Sequence, residues 1–161
     1  MWAGNGNVGG PAGVTRSAVV SMPIHVLLIE DNRPDALLVR DGLRKNGVDF
    51  ILHEIADADA AAVYVQRLAS AADVPYPDVV ILDLNLPKGD GLELLQIFRG
   101  FPQCANTPVI VMTSSDSPAD RKKVAEMGNT LYFRKPLDLD EFLQIGALVR
   151  TLLNNNDASD W

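Results

Sequence analysis

The clearest pattern in the chain is a repeat of short, wholly apolar runs, each stopped by polar residues and followed by apolar positions at helical spacing. The run Val79-Val80-Ile81-Leu82 is β-branched at three of its four positions and reads as a strand buried on both faces. It stops at a carboxylate, Asp83. Pro87, Gly89 and Gly91 then interrupt the chain, and Asp90 with Glu93 is a helix-start signature ahead of Leu92, Leu94, Leu95 and Phe98. In open parallel sheets chemistry gathers at the carboxyl ends of strands, so an acid in that place is a functional candidate.

The same order recurs on both sides of this unit. Ile24 to Ile29 is an apolar run ending at Glu30 and Asp31, and Asn32 with Pro34 opens a helix through Ala36, Leu37, Val39 and Leu43 that closes near Asn46-Gly47. Phe50 to Ile55 predicts a strand, and Asp57 caps a helix through Ala61, Ala62, Val65 and Leu68 that Pro75 and Pro77 close. Past a helix end near Gly100, the loop Phe101 to Thr107 leads into Pro108-Val109-Ile110-Val111-Met112-Thr113, a strand finishing in the hydroxyls of Thr113, Ser114 and Ser115. Ser117-Pro118-Ala119-Asp120 joins a capping serine, a first-turn proline and an acid, predicting a helix to Met127-Gly128. Thr130 to Arg134 is a short strand ending at Lys135-Pro136. Asp138 and Glu141 open the last helix, with Phe142, Leu143, Ile145, Leu148, Val149 and Leu152 on its apolar side.

Strands and helices in alternation, five of each, predict an α/β fold: a doubly wound (βα)5 parallel sheet covered on both faces. Right-handed crossovers favour the flavodoxin-like strand order 2-1-3-4-5, which sets the first and third strands side by side. Glu30, Asp31 and Asp83 then converge, flanked by Thr113 and Lys135. At 161 residues the chain suits one domain, expected over residues 22–153, with a disordered tail over 1–21 and a polar, frayed tail over 154–161. Gly4-Asn5-Gly6-Asn7-Val8-Gly9 has the letters of a dinucleotide fingerprint, but three preceding residues are too few for the strand that such a turn needs.

Composition narrows the partners. A formal charge of −7 argues against nucleic acid and anionic membrane surfaces, both of which need a basic face. No apolar run approaches the roughly 20 residues of a membrane span. Cys104 is the single cysteine, which excludes an intrachain disulfide and fits a reducing cytoplasm. His25 and His53 have no other soft ligand nearby in sequence and read as packed or partly exposed side chains.

Three carboxylates in one crevice repel each other, so either a proton or a cation sits among them. An all-oxygen site with room for water suits Mg²⁺. With its charge offset in this way, an Asp83 oxygen can attack phosphorus while the cation and the Lys135 ammonium balance charge on the transferring oxygens, giving an aspartyl phosphate. Thr113 is placed to donate its hydroxyl to the new group.

The acidic pair Glu30-Asp31, the loop LDLNLPKGDG around Asp83, Thr113 in VIVMTSS and Lys135-Pro136 together resemble the receiver domain of two-component response regulators. The resemblance spans roughly residues 22 to 153. It implies that Asp83 accepts a phosphoryl group from a histidine of a sensor kinase. Asp31 and Asp83 would bind Mg²⁺ through side chains, Asn85 through its backbone carbonyl, and Glu30 mostly through water. Thr113, Ser114 and Lys135 would contact the phosphoryl group, Tyr132 would move inward with Thr113, and the Lys135–Pro136 bond would be cis. Phosphorylation would shift the face made by the fourth helix, fifth strand and fifth helix.

The Phe101 to Pro108 insertion, the Leu-Pro-Lys loop and the double serine after Thr113 resemble the stand-alone receivers paired with bacterial phytochromes. Arg121, Lys122, Lys123 and Arg134 opposite Asp138, Asp140 and Glu141 suggest a self-complementary homodimer. Two other functions remain open on the sequence. One is an aspartate-nucleophile phosphohydrolase of the haloacid dehalogenase type, although its second aspartate is replaced here by Asn85. The other is a receiver-like module that binds partners without phosphate. Small residues at Asn85 and Ser115 leave water a path to the phosphoryl group, which predicts self-hydrolysis.

Overall fold

The computed structural model describes residues 21–157, so the tail readings for residues 1–20 and 158–161 and the glycine-rich letters near Gly4 lie outside the described residues. In chain order the elements are β1 (Ile24–Ile29), α1 (Arg33–Lys45), β2 (Phe50–Ile55), α2 (Ala58–Ser70), β3 (Val79–Asp83) and α3 (Gly91–Gly100). After a 3-10 turn (Pro102–Cys104) come β4 (Val109–Thr113), α4 (Pro118–Glu126), β5 (Thr130–Arg134), α5 (Leu139–Leu143) and α6 (Ile145–Asp157). The strands form one parallel sheet in the order β2-β1-β3-β4-β5.

Alternation along β1 shows why helices cover both faces. Val26 and Leu28 point into a cluster with Val39 and Leu43 of α1, Phe142 of α5 and Ile145 and Val149 of α6. Leu27 and Ile29 point the other way, onto Val65 and Leu68 of α2, Leu94, Leu95 and Phe98 of α3, and Val124 of α4. The central strands β3 and β4 are buried along their whole length, as expected of a sheet covered twice.

Each predicted cap is made. Asn32, Asp57, Asp90, Ser117 and Asp138 accept from the backbone N–H of Asp35, Ala60, Leu92, Asp120 and Glu141 at 3.1, 2.7, 2.9, 3.3 and 2.9 Å. Caps at strand-helix turns fix where each loop leaves the sheet, so they also aim the residues of the crevice.

The last helix departs from expectation twice. It is broken at Gln144, whose N–H turns to the Glu141 carbonyl at 3.2 Å while the Leu143 carbonyl accepts from the Asn46 side-chain amide at 3.1 Å. The second difference is length. α6 continues to Asp157, past the expected boundary at residue 153, since propagating an existing helix adds a bond for each residue fixed. No helix among the described residues is long and apolar enough to cross a membrane.

Candidate functional site

Parallel register delivers the candidate residues to one edge. Ile29 pairs with Leu82, so Glu30 stands level with Asp83; Asp83 pairs with Met112 and Thr113 with Arg134, so Thr113 and Lys135 each lie one step beyond their neighbour. Carboxylate oxygens of Glu30, Asp31 and Asp83 all lie within 4.8 Å of one another. Glu30 and Asp83 are buried and Asp31 is exposed. The Lys135 ammonium is 2.8 Å from Glu30 Oε2, 2.8 Å from Asp35 Oδ2 and 2.9 Å from Asp83 Oδ2. The contact to Glu30 is an ion pair whose angles fall outside hydrogen-bond geometry, whereas those to Asp35 and Asp83 are hydrogen bonds.

Burial dominates the electrostatics. It pushes Glu30 up to about 7, with Asp83 adding to the rise while the Lys135 ammonium and the Asn32 N–H pull the other way. Burial also works against the charge on Lys135, but the carboxylates of Asp35, Glu30 and Asp83 outweigh it and hold its pKa above the ordinary lysine value. The acids therefore form an oxygen-only donor set in which one member resists ionisation. That is the chemistry of a hard-cation site. Glu30 and Asp31 also line a groove of about 460 Å³ that runs along α1 to Arg40 and Glu54, and of the two it is Asp31 that is open to solvent.

Across the crevice from the first-strand acids, Asp83 Oδ1 accepts from the Asn85 backbone N–H at 2.9 Å. The Asn85 amide donates to Thr113 Oγ1 at 3.0 Å, and the Ser115 backbone N–H donates to the same oxygen at 3.2 Å. Thr113 is fully buried. Ser114 is exposed. Tyr132 sits half-buried on β5, its hydroxyl donating to the Ser115 carbonyl at 2.8 Å and the Arg121 guanidinium 4.3 Å above its ring.

Residues 26–146 match the response regulator receiver domain family. The chain belongs to that family. Over 123 residues, 76% of this receiver chain and 84% of its relative, it is 32% identical to the response regulator Rcp1 of Synechocystis. Among solved structures it resembles the phosphorylated cyanobacterial phytochrome response regulator RcpA, with a TM-score of 0.74, 28% identity and coverage of 83% of this chain and 96% of that one. The Mn²⁺-bound form of Rcp1 gives a TM-score of 0.71 at 31% identity, over 80% of this chain and 93% of that one.

The structure corrects one expectation of the receiver resemblance. The Lys135–Pro136 bond is trans, as is every described peptide bond. An X–Pro bond prefers trans by only about 0.5–1 kcal/mol, so local sequence does not decide the isomer. Here the Lys135 N–H donates to the Thr113 carbonyl at 2.8 Å and its ammonium reaches the acids with a trans bond in place.

Two features of the receiver site escaped the sequence. Asp35 lies in the first turn of α1, where it reads as an ordinary helix-start acid. Its position four residues after Asp31 was the only signal that it faces the crevice. The side-chain bond from Asn85 to Thr113 joins the loop after β3 to the last residue of β4 and leaves no trace in local pattern. Away from the crevice, His25 Nδ1 and His53 Nε2 lie 2.9 Å apart across β1 and β2, a pairing that only the strand register reveals.

Proposed function

We propose that this receiver is a phosphoryl-accepting switch in which Asp83 is the acceptor and a sensor kinase phosphohistidine is the donor. The observation that carries the reading is the convergence of Glu30, Asp31 and Asp83 with the Lys135 ammonium at one strand-end crevice. One Asp83 oxygen attacks phosphorus, the new P–O bond forms as the P–N bond breaks, and the imidazole departs with the electron pair and takes up a proton. Asp31 and Asp83 would hold Mg²⁺ with the Asn85 carbonyl, and Glu30 through water, and the ion supplies charge neutralisation at the transferring oxygens. Lys135 contributes the second positive charge. Before transfer its ammonium keeps the Asp83 carboxylate in place; after transfer it faces a phosphoryl oxygen.

Thr113, and Ser114 beside it, receive the product oxygens from the far side. Movement of Thr113 drags the loop that carries Ser115, and with it the carbonyl to which Tyr132 donates. The switch is therefore transmitted to α4, β5 and α5. The chain acts by this change of shape and turns over only its own phosphoryl group. A phytochrome-type sensor kinase is the expected donor, since the similar proteins Rcp1 and RcpA are a response regulator and a phytochrome response regulator. The downstream partner is a protein that reads the α4-β5-α5 face, and a second copy of the chain is one such reader. A cytoplasmic setting suits an unpaired, buried cysteine and a phosphohistidine donor.

Incubation with Mg²⁺ and phosphoramidate followed by intact-mass measurement tests the reading. The wild type gains one phosphoryl group and Asp83→Asn gains none; equal gain by both proteins rules Asp83 out as acceptor.

A further inference from the structure

A threonine hydroxyl has one proton to give and two lone pairs to receive with. In this crevice both lone pairs of Thr113 are filled, by the Asn85 side-chain amide at 3.0 Å and the Ser115 backbone N–H at 3.2 Å. Thr113 is fully buried, so water does not compete for the remaining valence. Only the proton is left to engage.

We propose that the Asn85 side chain is a positioning residue that sets the hydrogen-bond polarity of Thr113. By donating to Oγ1, it fixes the hydroxyl as a donor, ready for an oxygen of the phosphoryl group on Asp83. This deepens the receiver reading and rests on it. The assignment differs from the metal role of Asn85, which uses the backbone carbonyl and needs no particular side chain. It is also distinct from the bond between the Asn85 N–H and Asp83 Oδ1 at 2.9 Å, which any residue but proline would make. Asparagine suits the place because its amide is a neutral donor. A carboxylate there only accepts, and it would claim the Thr113 proton for itself.

The arrangement has an asymmetry that can be measured. Ser115 N–H belongs to the backbone and survives substitution, so deleting the Asn85 amide frees one lone pair and lets the hydroxyl turn. The phosphoryl group then meets a rotor rather than a fixed donor. Because the whole effect passes through the Thr113 hydroxyl, it must vanish when that hydroxyl is absent.

The test is a thermodynamic cycle on the full chain, using beryllofluoride with Mg²⁺ as a phosphoryl mimic and calorimetry to measure its affinity. Asn85→Ala is expected to weaken binding about three- to tenfold, the range of one lost hydrogen bond. In a Thr113→Ala background the same substitution is expected to change affinity less than about twofold, and in a Thr113→Ser background, which keeps a hydroxyl, the loss should return. Equal weakening in the Thr113 and Thr113→Ala backgrounds overturns the inference while the receiver reading stands. A wild type that binds no beryllofluoride and accepts no phosphoryl group overturns both.

Discussion

Lys135 meets three carboxylates at 2.8, 2.8 and 2.9 Å with its side chain only 11% exposed, so in the metal-free protein its charge is what makes the buried acids tolerable. Replacing it leaves Glu30 and Asp83 without their cation, and removal of one partner from a buried pair typically destabilises by about 3–5 kcal/mol. Urea denaturation of Lys135→Met without divalent ions is expected to show a loss of that size, with Mg²⁺ restoring part of it; an unchanged midpoint contradicts the pairing. His53 adds a pH dependence on the acid side. Burial first, then the charge of His25, lower its pKa from the usual 6.5. The folded value lies below the unfolded one, so neutral His53 stabilises the fold fully above about pH 6.5, and the contribution is lost as pH falls through the folded value. Proton-detected titration of the two rings should place His53 below 6.5, and a value above it contradicts the packing. Cys104 is 1% exposed and burial raises its thiol pKa, so it should resist alkylation at neutral pH until the chain unfolds. Modification in the native state at the rate of a free thiol argues against that burial. At this scale the sequence exposed every residue that ends a strand, but not Asp35 or the His pair, whose meaning depends on register between strands.

The join between α1 and α6 is set by two glycines. A Cβ on Gly146 would run into the Gly42 carbonyl oxygen, and a Cβ on Gly42 would stand 2.9 Å from the Leu143 carbonyl oxygen. Backbone therefore meets backbone, and Asn46 bridges the contact by donating to both the Gly42 and Leu143 carbonyls at 2.8 and 3.1 Å. Alanine favours a helix interior over glycine by about 1 kcal/mol, yet Gly146→Ala should lower the melting temperature, because the helices must separate. Gly42→Ala should lower it less. A Gly146→Ala protein at least as stable as the wild type contradicts the crossing. The helix break at Gln144 was hidden from the sequence for the same reason: periodicity reports that a helix has an apolar face, not that a neighbouring side-chain amide bonds to one of its carbonyls. Helix starts were legible because a cap is local, and a serine, aspartate or asparagine bonds a donor two or three residues away.

Strand order was legible from the whole chain because alternating βα units with right-handed crossovers allow few arrangements, and apolar runs mark which strands are covered twice. Quaternary structure is a different matter. Arg121 and Arg134, two of the basic residues expected to face a partner chain, are both held by Asp116 within the molecule, at 2.8 and 3.3 Å. Exposed pairs of this kind contribute little, so they can exchange for acids of a second copy once the loop after Thr113 shifts. Sedimentation should then show greater association of the phosphorylated protein than of the resting one; a monomer in both states removes the proposed self-pairing. The central claim is chemical, and it is reached most directly by trapping the acyl phosphate. After incubation with Mg²⁺ and phosphoramidate, borohydride reduction converts an aspartyl phosphate to homoserine, and peptide mass mapping locates the change. The account predicts homoserine at position 83 and at no other aspartate; homoserine elsewhere, or none in a protein that has gained a phosphoryl group, would contradict it.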